Sequence, residues 1–118
     1  MTVKISRALK ADSVLGPQLG GRTFPNTADL GTPVPYLVFQ GIGSDPEHTL
    51  DCGVVNENNQ YQFVIWHNDI KVAEAIRLRA IKVLEGVGFF YQGKHPDSED
   101  FETKLHGRGW DMSYWSDI

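Results

Sequence analysis

The sequence has a single cysteine, Cys52, in 118 residues, so no disulfide can close within the chain. It has no signal-peptide pattern and no run approaching the ~20 apolar residues of a bilayer span, so a soluble protein made in a reducing cytosol is expected. An excess of cations is missing too. Eleven Lys and Arg against 15 Asp and Glu leave a formal charge of −4. A free-standing nucleic-acid binder needs a basic face to displace counterions from phosphates, and this balance argues against one. Lys71, Arg77, Arg79 and Lys82 do share one predicted helix, where they read as solvated surface.

Catalytic patterns are equally scarce. There is no Gly-x-Ser-x-Gly elbow, and no serine or cysteine is paired with a base. Cys52 sits before Gly53 in a turn-like stretch and reads as a small semi-buried residue. His95 and His106 flank Asp97, Glu99, Asp100 and Glu102, which could in principle surround a cation. Their spacing is not that of a helix-borne site, and a structural zinc would want cysteines that are absent. The run reads instead as a solvated acidic loop. Gly41-Ile42-Gly43 ends a strand, but no helix follows to hold a phosphate. Gly107-Arg108-Gly109 reads as a turn before the last strand. No enzyme, cofactor or metal is expected.

The residues do supply a core. Hydrophobic residues make up 41% of the chain, ample for one domain covering residues 1–118. Residues 3–15 place apolar side chains near helical spacing, with Gly16-Pro17 as the stop. Gly20-Gly21 turns the chain into a short strand at Arg22-Thr23-Phe24. Residues 25–35 hold three prolines and one glycine and read as an ordered loop. A strand over 36–42 follows, apolar on both faces and so expected to be covered on both sides. Gly43-Ser44-Asp45-Pro46 is expected to break it, with weak pairing over 50–55. Asn56-Glu57-Asn58-Asn59 has hairpin-turn chemistry.

Tyr61 to His67 reads as the next strand and feeds a helix over 69–85. Asn68 or Asp69 caps that helix, Gly86 ends it, and Val72, Ala73, Ile76, Ala80, Val83 and Leu84 form its apolar stripe. Strands over 87–91 and 110–115 close the pattern, with a polar loop over 93–100 after the first. Trp110, Met112 and Tyr114 face one way in the last strand, and Asp111, Ser113 and Trp115 the other. Trp66, Trp110 and Trp115 stand near strand ends or beside polar residues, and this pattern leaves core packing and subunit contact both open. His67, at a strand end, reads as a packing or capping residue.

The order of these elements meets specific residues. Gly20-Gly21-Arg22-Thr23-Phe24-Pro25 leads to Pro33-Val34-Pro35-Tyr36-Leu37-Val38-Phe39-Gln40. Then come Tyr61-Gln62-Phe63-Val64-Ile65-Trp66-His67, a helix bearing Ala73-Glu74-Ala75, and a closing Asp111-Met112-Ser113-Tyr114-Trp115. This resembles the tail terminator family of long-tailed bacteriophages, also called tail-completion or tail-to-head joining proteins. The likeness runs from about residue 3 to 115. The acidic loop over 92–108 is longer than the family pattern and departs from it.

The resemblance implies an α+β fold: an antiparallel or mixed sheet of four to six strands with two helices packed on it. It implies a homo-oligomer, a hexameric ring in the virion, that caps the finished tail tube and stops its polymerisation. Its partners would be the tail-tube protein and a head-completion or connector protein. DNA would pass through the lumen without specific binding, and assembly would occur in the host cytoplasm. The loops over 43–60 and 92–109 then become contact candidates, with Ser44, Asp45, Asn58, Asn59, Asp97 and Asp100 beside Trp66, His67, Trp110 and Trp115. The alternatives are a tail-tube subunit, a connector adaptor, or a small enzyme or ligand-binding domain.

Overall fold

The computed structural model describes residues 2–28, 31–49 and 53–117, with side chains described for all of these except 2–3, 44–49, 53–57 and 116–117. The order is α1 (Thr2–Ala11), α2 (Leu15–Leu19), β1 (Thr23–Pro25), β2 (Tyr36–Thr49), β3 (Gly53–His67), α3 (Ile70–Glu85), β4 (Phe90–Lys94), β5 (Ser98–Glu99) and β6 (His106–Asp117). One six-stranded sheet runs β1-β2-β3-β6-β4, with β5 paired to the end of β6. β1 is parallel to β2 and the other pairings are antiparallel, so the sheet is mixed. The expected α+β class is the observed one, with a short third helix added.

Helices cover one face of the sheet only. Three cross-strand rows point into that layer: Leu37–Ile65–Arg108, Phe39–Phe63–Trp110 and Gly41–Tyr61–Met112. Ile5, Leu9, Leu15 and Leu19 of the first two helices and Ala73, Ile76, Ala80 and Leu84 of α3 pack onto them, all fully buried or nearly so. Phe63 stacks on Trp110 with ring centres 5.2 Å apart and planes within 11°. Phe89 meets Phe63 edge-on at 6.1 Å. The expectation that the 36–42 strand is covered on both faces is therefore corrected. Val38 and Tyr36 on its far side have no helix above them among the described residues.

α3 forms where its periodicity places it. Asp69 caps it, its carboxylate accepting from the Val72 amide at 3.2 Å, which satisfies one of the free first-turn donors. Its expected stop is shared by two glycines. Gly86 stays in the right-handed region, and Gly88, at φ +106°, makes the turn into β4. The stripe contains one surprise, since Arg77 is buried beside Glu74 rather than solvated. Arg79 is also engaged, forming a two-pronged pair with Asp12 of the α1–α2 turn at 2.8 and 3.1 Å. Of the four helix cations, Lys71 and Lys82 alone project freely into solvent.

The N-terminal helix ends earlier than its spacing suggests. Asp12 turns back and accepts from the amides of Val14 and Leu15, which breaks the helix at Ala11 and starts α2. Gly16 and Pro17 lie inside the first turn of α2, where a proline costs no hydrogen bond. Gly16 is needed for another reason: a methyl group there would sit 2.5 Å from the Lys10 carbonyl oxygen.

The largest departure lies in the middle of the chain. Gly43-Ser44-Asp45-Pro46 does not end the strand. β2 runs on to Thr49, with the register shifting once between Gly41 and Gly43 and again between Glu47 and His48. Asn56-Glu57-Asn58-Asn59 is not a turn either. It lies inside β3, paired to β2 on one side and to Asp117, Ser116, Trp115 and Tyr114 of β6 on the other. Thr49 pairs with Gly53, and residues 50–52, with Cys52 and the first part of the expected weak pairing, lie outside the described residues. β4 starts at Phe90 rather than residue 87, and β6 starts at His106, which places Gly107-Arg108-Gly109 in a strand instead of a turn. The result is a three-stranded ribbon projecting beyond the helices, which draws the molecule out to 53 × 30 × 23 Å. Pro46 is tolerated within β2 because this half of the strand is a sheet edge.

Two expectations follow. Phe63→Ala removes the ring shared by Phe39, Phe89 and Trp110 and should cost about 3–5 kcal/mol in denaturant unfolding. A loss below about 1 kcal/mol would show that the core closes without it. The Arg79 guanidinium and the Leu15 amide hold the Asp12 carboxyl at about 2, down from 3.8. A depressed carboxylate stabilises the fold above its unfolded pKa and loses that effect as pH falls through the folded one. The gap in unfolding midpoint between the natural chain and Asp12→Asn should thus be constant above about pH 4 and narrow towards pH 2.

Candidate functional site

The uncovered face of the sheet is the place where the fold leaves specific side chains available. Its rows are Tyr36–Trp66–Gly107, Val38–Val64–Gly109 and Gln40–Gln62–Asp111, one residue each from β2, β3 and β6. The composition grades from aromatic through aliphatic to amide and carboxylate across only three rows. The two glycines explain why the face is not flat. A methyl group at Gly107 would lie 2.8 Å from the Trp66 ring, and one at Gly109 would lie 3.3 Å from Val64 Cγ2. Trp66 and Val64 therefore lean over β6, which opens a hollow on the β2 side. That hollow has a volume of about 150 Å³ and is lined by Asn26, Val38, Phe39, Gln40, Gln62, Val64 and Trp66. Asn26, at φ +70°, closes its rim and donates its amide to the Phe39 carbonyl at 2.8 Å.

His95 borders the same face. Its Nδ1 is 3.1 Å from Gln62 Nε2 and its Nε2 is 2.6 Å from Asp111 Oδ1. With the amide nitrogen donating to Nδ1, the Nε2 proton goes to the carboxylate. Both ring nitrogens are thus engaged, and neither is left to activate a nucleophile. Among the described residues no three of His, Cys, Asp and Glu stand close enough to hold a metal ion. The arrangement offers amides, an aromatic wall and a small apolar hollow, which is binding chemistry.

The loop after β4 carries the acidic run, and it is anchored rather than free. Asp97 pairs with Lys94 at 3.2 Å and with Arg108 at 3.5 Å, and Glu99 lies 3.5 Å from the other arm of Arg108 and against His106. Arg108, nearly fully buried, is the cation around which the loop folds. Asp100 accepts from the Glu102 amide, closing a turn that presents Phe101 at 86% exposure. The Tyr36 hydroxyl is held above its ordinary pKa first by burial and then by the charge of Asp100, so this turn stands at the Trp66 end of the open face.

The structure separates the sequence-derived candidates. Trp66 is half-buried on the open face. His67 follows it, its Nδ1 accepting from the Asn68 amide at 2.9 Å, which makes it a local cap for the β3–α3 turn. Trp110 is fully buried against Phe63 and leaves the set of surface candidates, because its strand position points into the helical layer. Trp115 is exposed on the open side of β6. Ser44 and Asp45 pair with Asn59 and Asn58 in the ribbon, and Asn59 also donates to the Tyr114 carbonyl at 3.2 Å. Asp97 and Asp100 sit on the anchored loop, away from the ribbon. Sequence reasoning missed the hollow, the buried Arg77 and Arg108, and the exposure of Leu78 and Phe101.

No protein-family model matches the sequence, and none of the curated proteins does. Among solved structures, the fold is similar to that of a chain in the "virion of native gene transfer agent (GTA) particle". The two are 11% identical, with a TM-score of 0.68 over 97% of this chain and 92% of that one. At that identity the likeness establishes the fold.

Gly107→Ala tests the packing of the open face. The added methyl must displace the Trp66 ring, so a loss of about 1–3 kcal/mol is expected together with a shift in tryptophan emission. An unchanged spectrum and stability would mean that Trp66 does not rest on Gly107.

Proposed function

We propose that this chain is a structural assembly protein of a phage-type virion, acting by binding rather than turnover. The finer reading is a tail terminator: a ring, hexameric by the family resemblance, that caps the tail tube and presents a surface to the head connector. The observation that carries the coarser reading is the near full-length fold likeness to a chain of a gene transfer agent virion. The partners this reading assigns are further copies of the chain, the tail-tube protein and a head-completion or connector protein, with DNA passing through the lumen without specific binding.

Two features of the fold support ring formation. β1 pairs with β2 only as far as Phe39, and β4 pairs with β6 only as far as Ser113. Beyond those points both outer strands of the ribbon have an open edge among the described residues. An open edge is a template for another strand. β2 and β6 are each antiparallel to β3, so they run parallel to one another. Rotation about an axis along the ribbon preserves strand direction, so β6 of one copy can meet β2 of the next in a parallel junction. Such a head-to-tail contact closes into a ring when the rotation divides a full turn.

The second feature is charge. No Lys or Arg occurs between Arg22 and Lys71, so β2 and β3 carry Asp45, Glu47 and Glu57 with no Lys or Arg, and β1 carries no charged residue. The last basic residue is Arg108, and β6 beyond it adds Asp111 and Asp117. A ring lined by such ribbons repels phosphates, which suits a conduit that must not grip its cargo.

Light scattering over a concentration series, with negative-stain images, tests the reading. A closed species of about six subunits is expected, free in solution or on the ends of added tail tubes. Tubes of unlimited length would replace the terminator by a tube subunit. A monomer that tail tubes fail to recruit would remove the assembly role.

A further inference from the structure

The open sheet face and the outer face of α3 are complementary. On α3, Lys71, Ala75, Leu78 and Lys82 recur at helical spacing on the side opposite the buried stripe. Leu78 is 54% exposed at the centre of this line. Lys71 and Lys82 make no ion pair among the described residues, so two ammonium groups flank one exposed aliphatic side chain. The sheet face is the reverse: an aliphatic and aromatic hollow with no cation on the strands that form it. Asp111 stands at its amide end, and Asp100 and Glu102 stand near its Trp66 end without an ion pair of their own.

We propose that the outer face of α3 docks on the open sheet face of a second copy of this chain, with Leu78 entering the hollow between Val38, Val64 and Trp66. The hollow, at about 150 Å³, has room for a single branched aliphatic side chain. Lys71 and Lys82 then lie over the carboxylates at the two ends of the face. A sheet covered on one side by helices gains its second layer from the neighbour, the arrangement that buries both faces of a sheet. The contact joins two different surfaces, so each copy offers one and accepts the other, and it propagates head to tail. The proposal rests on the assembly reading above and adds a face contact distinct from the β6–β2 edge junction.

Leu78→Glu tests it at a position where folding is not at stake, because the side chain is exposed. Self-association should weaken by about 30-fold or more, as expected when a central apolar anchor is replaced by a charge. In a Cys52→Ser background, Val38→Cys and Leu78→Cys chains should cross-link when mixed under oxidising conditions. A Phe90→Cys chain mixed with Leu78→Cys should not. Rings that persist in Leu78→Glu, with no Val38→Cys to Leu78→Cys cross-link, would overturn this contact and leave the ring intact. A cross-link in open chains that never close would support the contact and overturn the ring. Monomers that neither cross-link nor join tail tubes would overturn both.

Discussion

The stacking of Phe63 on Trp110 fixes β3 against β6, and most of the architecture follows from that register. Phe63 is the residue where Phe39, Tyr61, Phe89 and Trp110 converge. Because side chains alternate strictly along a strand, a slip of one residue would send Trp110 to the open face and Asp111 into the core. The same register puts Gly107 under Trp66 and Gly109 beside Val64. The core row and the open-face hollow are therefore set by one pairing. It also commits β3 to a partner on each side along nearly its whole length, which carries order into the ribbon where no helix reaches.

That extension separates the molecule into two chemical halves. One holds the helices, the aromatic core and every Lys and Arg. The other is backbone pairing with polar and acidic side chains. A ribbon without a helical layer gains little from apolar burial, so its stability comes from pairing and from whatever joins its edges. Among the described residues the two buried guanidinium groups lie in the helical half, Arg77 beside Glu74 and Arg108 beside the half-exposed Asp97 and Glu99. Removing one partner there would leave an uncompensated charge.

How much of this was legible in the sequence depended on whether local signals agreed with tertiary ones. α3 was legible because its apolar spacing, the Asp69 cap and the glycines after it all point the same way. The inward and outward faces of β6 were legible for the same reason, since Trp110 and Met112 alternate with Asp111 and Ser113. The ribbon was not. Glycine, proline and asparagine favour turns by propensity, yet residues 43–46 and 56–59 pair as strands because strand partners on either side outweigh a preference worth about 1 kcal/mol. Arg77 was unreadable because, although Glu74 stands three residues before it on the helix, only the fold buries the pair. Of the site, Trp66 stood out, but the hollow beside it depends on two glycines of β6, more than 40 residues away along the chain.

An open sheet face in so small a domain is itself an argument about function. Two packed layers suffice to bury one core, and the second face of a sheet is ordinarily polar when it meets water. Here it is polar at the Gln40–Gln62–Asp111 row but holds Val38, Val64, Trp66 and Tyr36 in the adjoining two. Two glycines give up stability within the strand to let the tryptophan lean over. His95 at its border has both ring nitrogens engaged, by Gln62 and Asp111. The face thus keeps apolar side chains and amides together with no helix above them among the described residues.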